Sequence, residues 1–339
     1  VRVPPEAAFA EGTELVCEIS AGDGDPVEVP LTQEADGSYV SCLVVPVSEL
    51  DAGANLGLEG YSEAIQISLS DSPYAGSGWQ KVNINIKGLI DGTMRDIVSL
   101  TYPLCYAALF SALNSADDPA NARANHGVVE AGEKARNMLD YSATALLSPD
   151  KQMLNDMLPR HSVWIHSGHG GYAAGITIIK KVGNNRYAKD YFKASGISRD
   201  DLEYNLVFMN TCESTDRWYR PIRFGENTRI IGFSPEYETQ STHAVRDIGT
   251  KLNALSYVGW DCSVERDVSV HVPSMLMEEL DTQVVNGEYV LRSPSDAVDA
   301  VRQEMVRKGG IHTVFSRMLR CIPKEGAYER VIDLNKKPN

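Results

Sequence analysis

The stretch VWIHSGHGG, residues 163–171, decides the fold. A short apolar run bounded by small residues reads as a buried strand, so VWIH is a strand that ends in Ser167-Gly168-His169-Gly170-Gly171. Downstream, NLVFMNTCEST (205–215) repeats the pattern: a buried strand over 205–211 that runs straight into Cys212. Working outward, SLTYPLCYAALF (99–110) reads as a strand. Val128, Val129, Ala131, Ala135, Met138 and Leu139 recur at helical spacing, and ATALLS (143–148) reads as a strand. Ser148-Pro149 then supplies an N-cap and first-turn proline for a helix carrying Met153, Leu154, Met157 and Leu158, which Pro159 stops. RIIGF (229–233) reads as a fifth strand before an amphipathic helix with Ala244, Val245, Ile248, Leu252 and Leu255 on one face. Val284 to Val290, with Asn286-Gly287 at its centre, reads as a hairpin, and a last helix runs from Ser293-Pro294 to Gly309-Gly310. Strands alternating with helices predict an α/β domain built on a mostly parallel sheet flanked by helices.

Ligands of open parallel sheets bind at the carboxyl ends of the strands, where the loops converge. His169 and Cys212 each stand just past such an end, so neighbouring strands would bring them to one cleft. A thiol becomes a strong nucleophile when it loses its proton, and an imidazole titrating near neutrality is suited to take that proton and later give it to a leaving amine. The glycines allow a sharp turn and close backbone approach. Gly170 and Cys212 amides are the candidate oxyanion donors for a tetrahedral intermediate.

With these residues in hand, VWIHSGHGG followed by NLVFMNTCEST resembles the His-Gly and Cys motifs of the caspase-like cysteine peptidases, the superfamily of caspases, metacaspases, legumains, clostripain, gingipains and CHAT-domain proteases. SGHG is similar to the metacaspase form and TCES to the legumain and CHAT forms. The resemblance covers about 99–320, including the helix SPSDAVDAVRQEM, and leaves out 1–98. It implies a caspase-like fold and an endopeptidase acting on protein or peptide substrates, with His169 as general base and acid and Cys212 as nucleophile. It also implies that the residue two before the nucleophile lines the S1 pocket. Caspases and metacaspases have glutamine or aspartate there; this chain has Asn210, whose neutral amide brings no charge to favour Arg or Lys at P1. Glu213, Asp216, Glu236, Glu238 and Asp261 keep basic P1 specificity open, and Ser234 to Tyr237 falls where the superfamily runs backbone beside the substrate. Asn210, Glu213 and Ser234 are therefore the substrate-binding candidates. Inactive precursors are common in the superfamily, and 114–126 and 180–200 are candidate cut sites.

The first 98 residues have a different composition. They hold 16 acidic and 4 basic side chains, against 30 and 28 in the remainder, which places a domain boundary near residue 98. Short alternating runs (LVCEIS, PVEVPLTQ, SYVSCLVVPV, AIQISLS, WQKVNINIKG) separated by turns predict an all-β, Ig-like sandwich over 1–98, followed by the peptidase-like domain over 99–339. No constellation of catalytic residues lies in the first part; anchoring or assembly is its expected role. The competing reading of the whole chain is a catalytically inactive caspase-like binding or surface-assembly protein.

At 339 residues with 43% apolar side chains the chain is long enough for two cored domains. A net charge of -14 and no basic run longer than two residues argue against nucleic acid as partner. The longest apolar run, around YPLCYAALFSAL, falls short of a membrane span. The chain opens at Val1 without methionine, and a secreted or cell-surface setting is expected, with a cytoplasmic one open. Cys105 reads as core; Cys17 and Cys42 are candidates for a bridge, one of several pairings the count permits. His166 precedes His169 by three residues, which on a strand end sends the two to opposite faces, so it reads as a buried structural histidine rather than a metal ligand. No cofactor is expected; Asp23-Gly24-Asp25 and Asp117-Asp118 are loop carboxylates that could bind calcium, which several bacterial members of the superfamily use. Trp218, Tyr219 and Trp260 read either as pocket lining or as core.

Overall fold

The computed structural model describes residues 2–3, 15–21, 26–33, 39–40, 65–68, 80–90, 93–113, 122–171, 173–183, 186–224, 229–237, 243–281, 283–285, 288–290, 292–327, 329 and 331. The chain divides into two compact units. One comprises Val1–Leu58, Gly76–Cys105 and Lys336–Asn339, the other Glu59–Ala75 and Tyr106–Asn335.

In the second unit a seven-stranded sheet carries the candidate site. Its strands, in chain order after a short edge strand Ile65–Ser68, are β1 (Ala107–Ala112), β2 (Ser142–Leu147), β3 (Val163–Ser167), β4 (Leu206–Asn210), β5 (Ser256–Trp260) and β6 (Leu319–Pro323). Their order across the sheet is β6-β5-β4-β3-β1-β2, then Ile65–Ser68. β1 to β5 are mutually parallel, and only the two outermost strands run antiparallel. The chain steps from β1 outward to β2 and then returns to the other side of β1 to form β3, so the topological switch point, where ligands collect in such sheets, lies between β1 and β3.

β1, β3, β4 and β5 are buried along their whole length because helices cover both faces. On one face Leu109, Trp164, Val207, Met209 and Tyr257 pack with Leu154 and Met157 of α2 (Lys151–Met157), Ile248 of α3 (Arg246–Lys251), and Ile176, Ile178 and Phe192 of an antiparallel hairpin, Gly175–Gly183 with Arg186–Phe192. Alternation sends Phe110, Ile165 and Phe208 to the other face, covered by α1 (Ala122–Leu139) and α4 (Val272–Glu279). α5 (Pro294–Lys308) begins as the sequence predicts: Ser293 caps it by accepting from the Asp296 amide, and it stops at Gly309, φ 73°. The 283–285 and 288–290 strands pair as the expected hairpin. Among the described residues no helix is long and apolar enough to cross a membrane.

Several expectations need correction. α2 is capped by Asp150, which accepts from the Met153 amide, and not by Ser148, which takes a left-handed φ of 50°. SLTYPLCYAALF is two elements: Thr93–Leu104 belongs to the first unit, and the sheet strand starts at Ala107, with buried Cys105 between them. Thr93–Leu104 also runs through residue 98, so the compact units divide at Cys105. RIIGF does not enter the main sheet; Arg229–Tyr237 pairs with Tyr219–Phe224 in a separate ribbon, and the fifth parallel strand is SYVGW. AIQISLS contributes Ile65–Ser68 to the edge of the second unit's sheet.

The first unit contains a four-stranded antiparallel sheet, Val27–Pro30, Leu15–Ala21, Gln80–Ile90 and Thr93–Leu104 in spatial order, and a three-stranded sheet of two-residue strands. Leu15 and Ile86 are its buried contacts, with Leu31 and Ile97 against them. Cys17 is a free, buried thiol; its candidate partner Cys42 and the aspartates at 23, 25, 117 and 118 lie outside the described residues.

Candidate active site

β3 and β4 are adjacent and parallel, paired from Val163 with Leu206 to Ser167 with Asn210, and the Gly168 amide extends the ladder by donating to the Asn210 carbonyl at 3.3 Å. His169 and Cys212 each stand two residues beyond the last pair. The structure therefore brings the two motif ends to one rim of the sheet, beside the switch point.

The β3 end is built on backbone. The Thr177 amide donates to the His169 carbonyl at 2.9 Å, and Gly170 stands opposite Ile176. In an antiparallel pair this makes Gly170 a non-hydrogen-bonded position, so its amide is directed away from the Gly175–Gly183 strand. A Cβ at Gly170 would meet the Thr211 hydroxyl oxygen at 2.4 Å, which is why only glycine fits there. The His169 side chain is exposed.

Beneath this loop His166 is fully buried. Trp164 Nε1 donates to Ser111 Oγ at 2.9 Å, and Ser111 Oγ lies 2.9 Å from His166 Nδ1. Ser111 Oγ thus bridges the indole and the imidazole on one side of the ring. Nε2 has no partner, and the Gly168 backbone passes just above it. Burial holds this ring neutral, down to about 3, and the neighbouring His169 adds to the effect. His166 is thus the structural histidine the sequence predicts. The Ser111 partner was signalled by one hydroxyl inside an otherwise apolar strand.

The β4 end is held by side chains. Asn210 is buried; its Nδ2 donates to Ser167 Oγ at 2.8 Å and to the Ser269 carbonyl at 2.9 Å, and its Oδ1 accepts from Trp260 Nε1 at 2.8 Å. Trp260 is fully buried and belongs to the core. Cys212 is half-buried, its thiol donating to the Val264 carbonyl at 3.9 Å. Burial pushes this thiol up, and the Glu213 and Glu265 carboxylates push it further. Glu213 has a left-handed φ of 53°; its amide donates to the Cys262 carbonyl at 3.0 Å and its carboxylate accepts from Ser263 Oγ at 3.0 Å. Nothing in the sequence marked that conformation, which is rare for a residue with a side chain.

The remaining acidic candidates are engaged elsewhere. Asp261 is buried and accepts from Thr215 Oγ1 and, at 3.2 Å, from Arg320, which also binds exposed Asp216 at 3.0 Å. Ser234 lies in the Tyr219–Phe224/Arg229–Tyr237 ribbon, which is tethered to the end of β5 by the Tyr219 amide donating to the Asp261 carbonyl at 2.7 Å. The side chains of Ser234, Glu236 and Glu238 lie outside the described residues.

No protein-family model matches the chain, and no curated protein matches it. Among solved structures it is similar to a secreted C11 cysteine protease from Bacteroides thetaiotaomicron, determined by X-ray in complex with an irreversible peptide inhibitor. The match has 9% sequence identity and a TM-score of 0.36. It covers 64% of this chain and 65% of that one, so just under two thirds of that protein's length is spanned. The structural match is thus to a C11 cysteine protease.

Proposed function

We propose that the chain is a cysteine endopeptidase using His169 and Cys212. The observation that supports the reading is the register of β3 and β4, by which each of the two residues follows the last paired position of neighbouring strands by two. His169 takes the Sγ proton as sulfur attacks the peptide carbonyl carbon, and the carbonyl π electrons move onto oxygen. The Gly170 and Cys212 amides receive that oxyanion. Collapse of the intermediate breaks the C–N bond, and His169 returns its proton to the leaving amine. Water, deprotonated by His169, then hydrolyses the thioester and releases the thiol. With its thiol pushed up by burial and two carboxylates, Cys212 rests protonated, so proton removal accompanies attack.

The thiol's hydrogen bond to Val264 and its raised pKa favour a second reading, a peptide-binding protein without turnover. A peptide-library digest with wild type and Cys212→Ala separates them. Cleavage by wild type that disappears in the variant supports the peptidase. Cleavage that persists removes the nucleophile assignment, and no cleavage together with no alkylation by a peptidyl chloromethylketone favours the binding role. In the same reading the first compact unit is an Ig-like module that positions or assembles the peptidase unit, Glu59–Ala75 with Tyr106–Asn335, in a secreted or surface-attached protein.

A further inference from the structure

β4 and β5 run parallel, with Leu206 opposite Ser256, Val207 opposite Tyr257 and Phe208 opposite Val258. Cys212 lies four residues past Phe208 and Cys262 four past Val258, so the two thiols fall at the same register on neighbouring strands. The structure keeps that register: the Glu213 amide donates to the Cys262 carbonyl at 3.0 Å, the bond a parallel ladder makes where Cys212 stands opposite Cys262. Neighbouring strands lie about 4.8 Å apart, within the roughly 4.4–6.8 Å that separates the Cα atoms of a disulfide. We propose that Cys262 is the resolving thiol of Cys212: oxidation of Cys212 by a hydroperoxide ends in a reversible disulfide between the two, which masks the Cys212 sulfur.

The side chains agree with the backbone. Cys212 Sγ leans on the segment that follows Cys262, donating to the Val264 carbonyl at 3.9 Å. Cys262 is fully buried and has no part in the proposed dyad. Burial raises its thiol, and the next strongest influence on it is the Cys212 sulfur, ahead of the adjoining Asp261. Access separates their roles: an oxidant reaches half-buried Cys212 and not Cys262. The third cysteine of the second unit, Cys321, stands on β6 opposite Val258, four residues short of Cys262 and so about 13 Å from it along the strand.

The chemistry takes two steps. Cys212 Sγ attacks the outer oxygen of the hydroperoxide, the O–O bond breaks, and the alcohol leaves with the thiol proton, giving a sulfenic acid. Cys262 Sγ then attacks the Cys212 sulfur, the S–O bond breaks, and hydroxide leaves as water with the Cys262 proton. Two thiols thus give two electrons to one hydroperoxide, and an external dithiol restores both by exchange. Cys262 keeps its proton and is a weak nucleophile at large, so its reaction depends on its place beside Cys212. Because Cys212 rests protonated, the first step speeds up as pH rises.

The test treats the full chain with hydrogen peroxide at about pH 8, where more of Cys212 is thiolate. Free thiols are then blocked under denaturing conditions and the protein is digested without reductant. Mass spectrometry should find the Cys212 peptide joined to the Cys262 peptide, and dithiothreitol should return iodoacetamide-reactive Cys212 to the untreated level. In Cys262→Ser and Cys262→Ala, peroxide should carry Cys212 on to sulfinic or sulfonic acid, so that the amount dithiothreitol recovers falls at least tenfold; Cys321→Ser should bridge like wild type. Wild-type Cys212 that ends as a sulfinic acid, joins another cysteine or stays a thiol overturns the proposal, and that result needs no variant to fold. Peptide cleavage is scored on the same samples. A reversible bridge in a chain that cleaves nothing overturns the peptidase reading alone, and cleavage by a chain that forms no bridge overturns the resolving role alone.

Discussion

The two strand ends at the centre of the site are held by opposite means. After β3 the chain is glycine-rich, its histidine is exposed, and its position is fixed by backbone hydrogen bonds and by the absence of a Cβ at Gly170. After β4 it is packed with side-chain bonds from Asn210, Thr215 and Glu213, and its cysteine is half-buried. In the dyad proposed above, the difference sets an exposed imidazole on a backbone-held turn against a half-buried sulfur on a support of packed side chains.

The sharpest way to break that contrast is at the exposed partner. His169→Gln should lower peptide cleavage by about 10²–10⁴-fold, the usual contribution of a general base. It should leave the thermal midpoint unchanged, because the ring is exposed; a large fall in the midpoint would show that the β3 loop is a packed element after all.

The second effect concerns the strand beneath. His161, whose Nδ1 donates to the Met157 carbonyl at 2.7 Å, is held down to about 4 by burial, and His166 to about 3. Both folded values lie below the ordinary 6.5, so the unfolded chain binds more protons and stability falls as pH drops from 6.5 toward these values. Between pH 7 and 5 the two together should cost about 4 kcal/mol. Urea unfolding followed by tryptophan fluorescence measures it, and His166→Gln should remove about half of the dependence.

On the rigid side, Asn210→Ala strands Trp260 Nε1 in the core and should cost about 2–3 kcal/mol in the same assay. A cost under about 0.5 kcal/mol would mean that the β4 end does not depend on this amide. The smallest effect is electrostatic: Glu213→Gln or Glu265→Gln removes a charge that raises the thiol. Cys212 alkylation by iodoacetamide at pH 8 should then speed up by about two- to fivefold, with the inflection moved to lower pH.

Much of this was legible in the sequence because burial on both faces leaves an unmistakable mark: VWIH, LVFMN and ATALL are runs that no solvent-facing strand carries. The same logic misplaced RIIGF, since a ribbon strand can be as apolar as a core strand, and it passed over SYVGW, whose glycine and tyrosine disguise a buried strand. Local sequence also could not show that Ile65–Ser68 leaves its neighbours to pair with β2, a contact between residues about eighty apart. At the site, His169 and Cys212 were visible from their flanking residues. The commitments of Asn210 and Asp261 to core hydrogen bonds were not, because Trp260, Thr215 and Arg320 meet them only after folding.

That edge strand has a practical consequence for anyone trimming the protein. A fragment starting at residue 99 would strip Ile65–Ser68 from β2 and leave a row of unpaired amides and carbonyls open to pairing with another chain. Such a fragment should self-associate in light scattering, whereas one that retains residues 59–75 should stay monodisperse. Residues 59–75 therefore belong with the second unit, one of whose borders they hold closed.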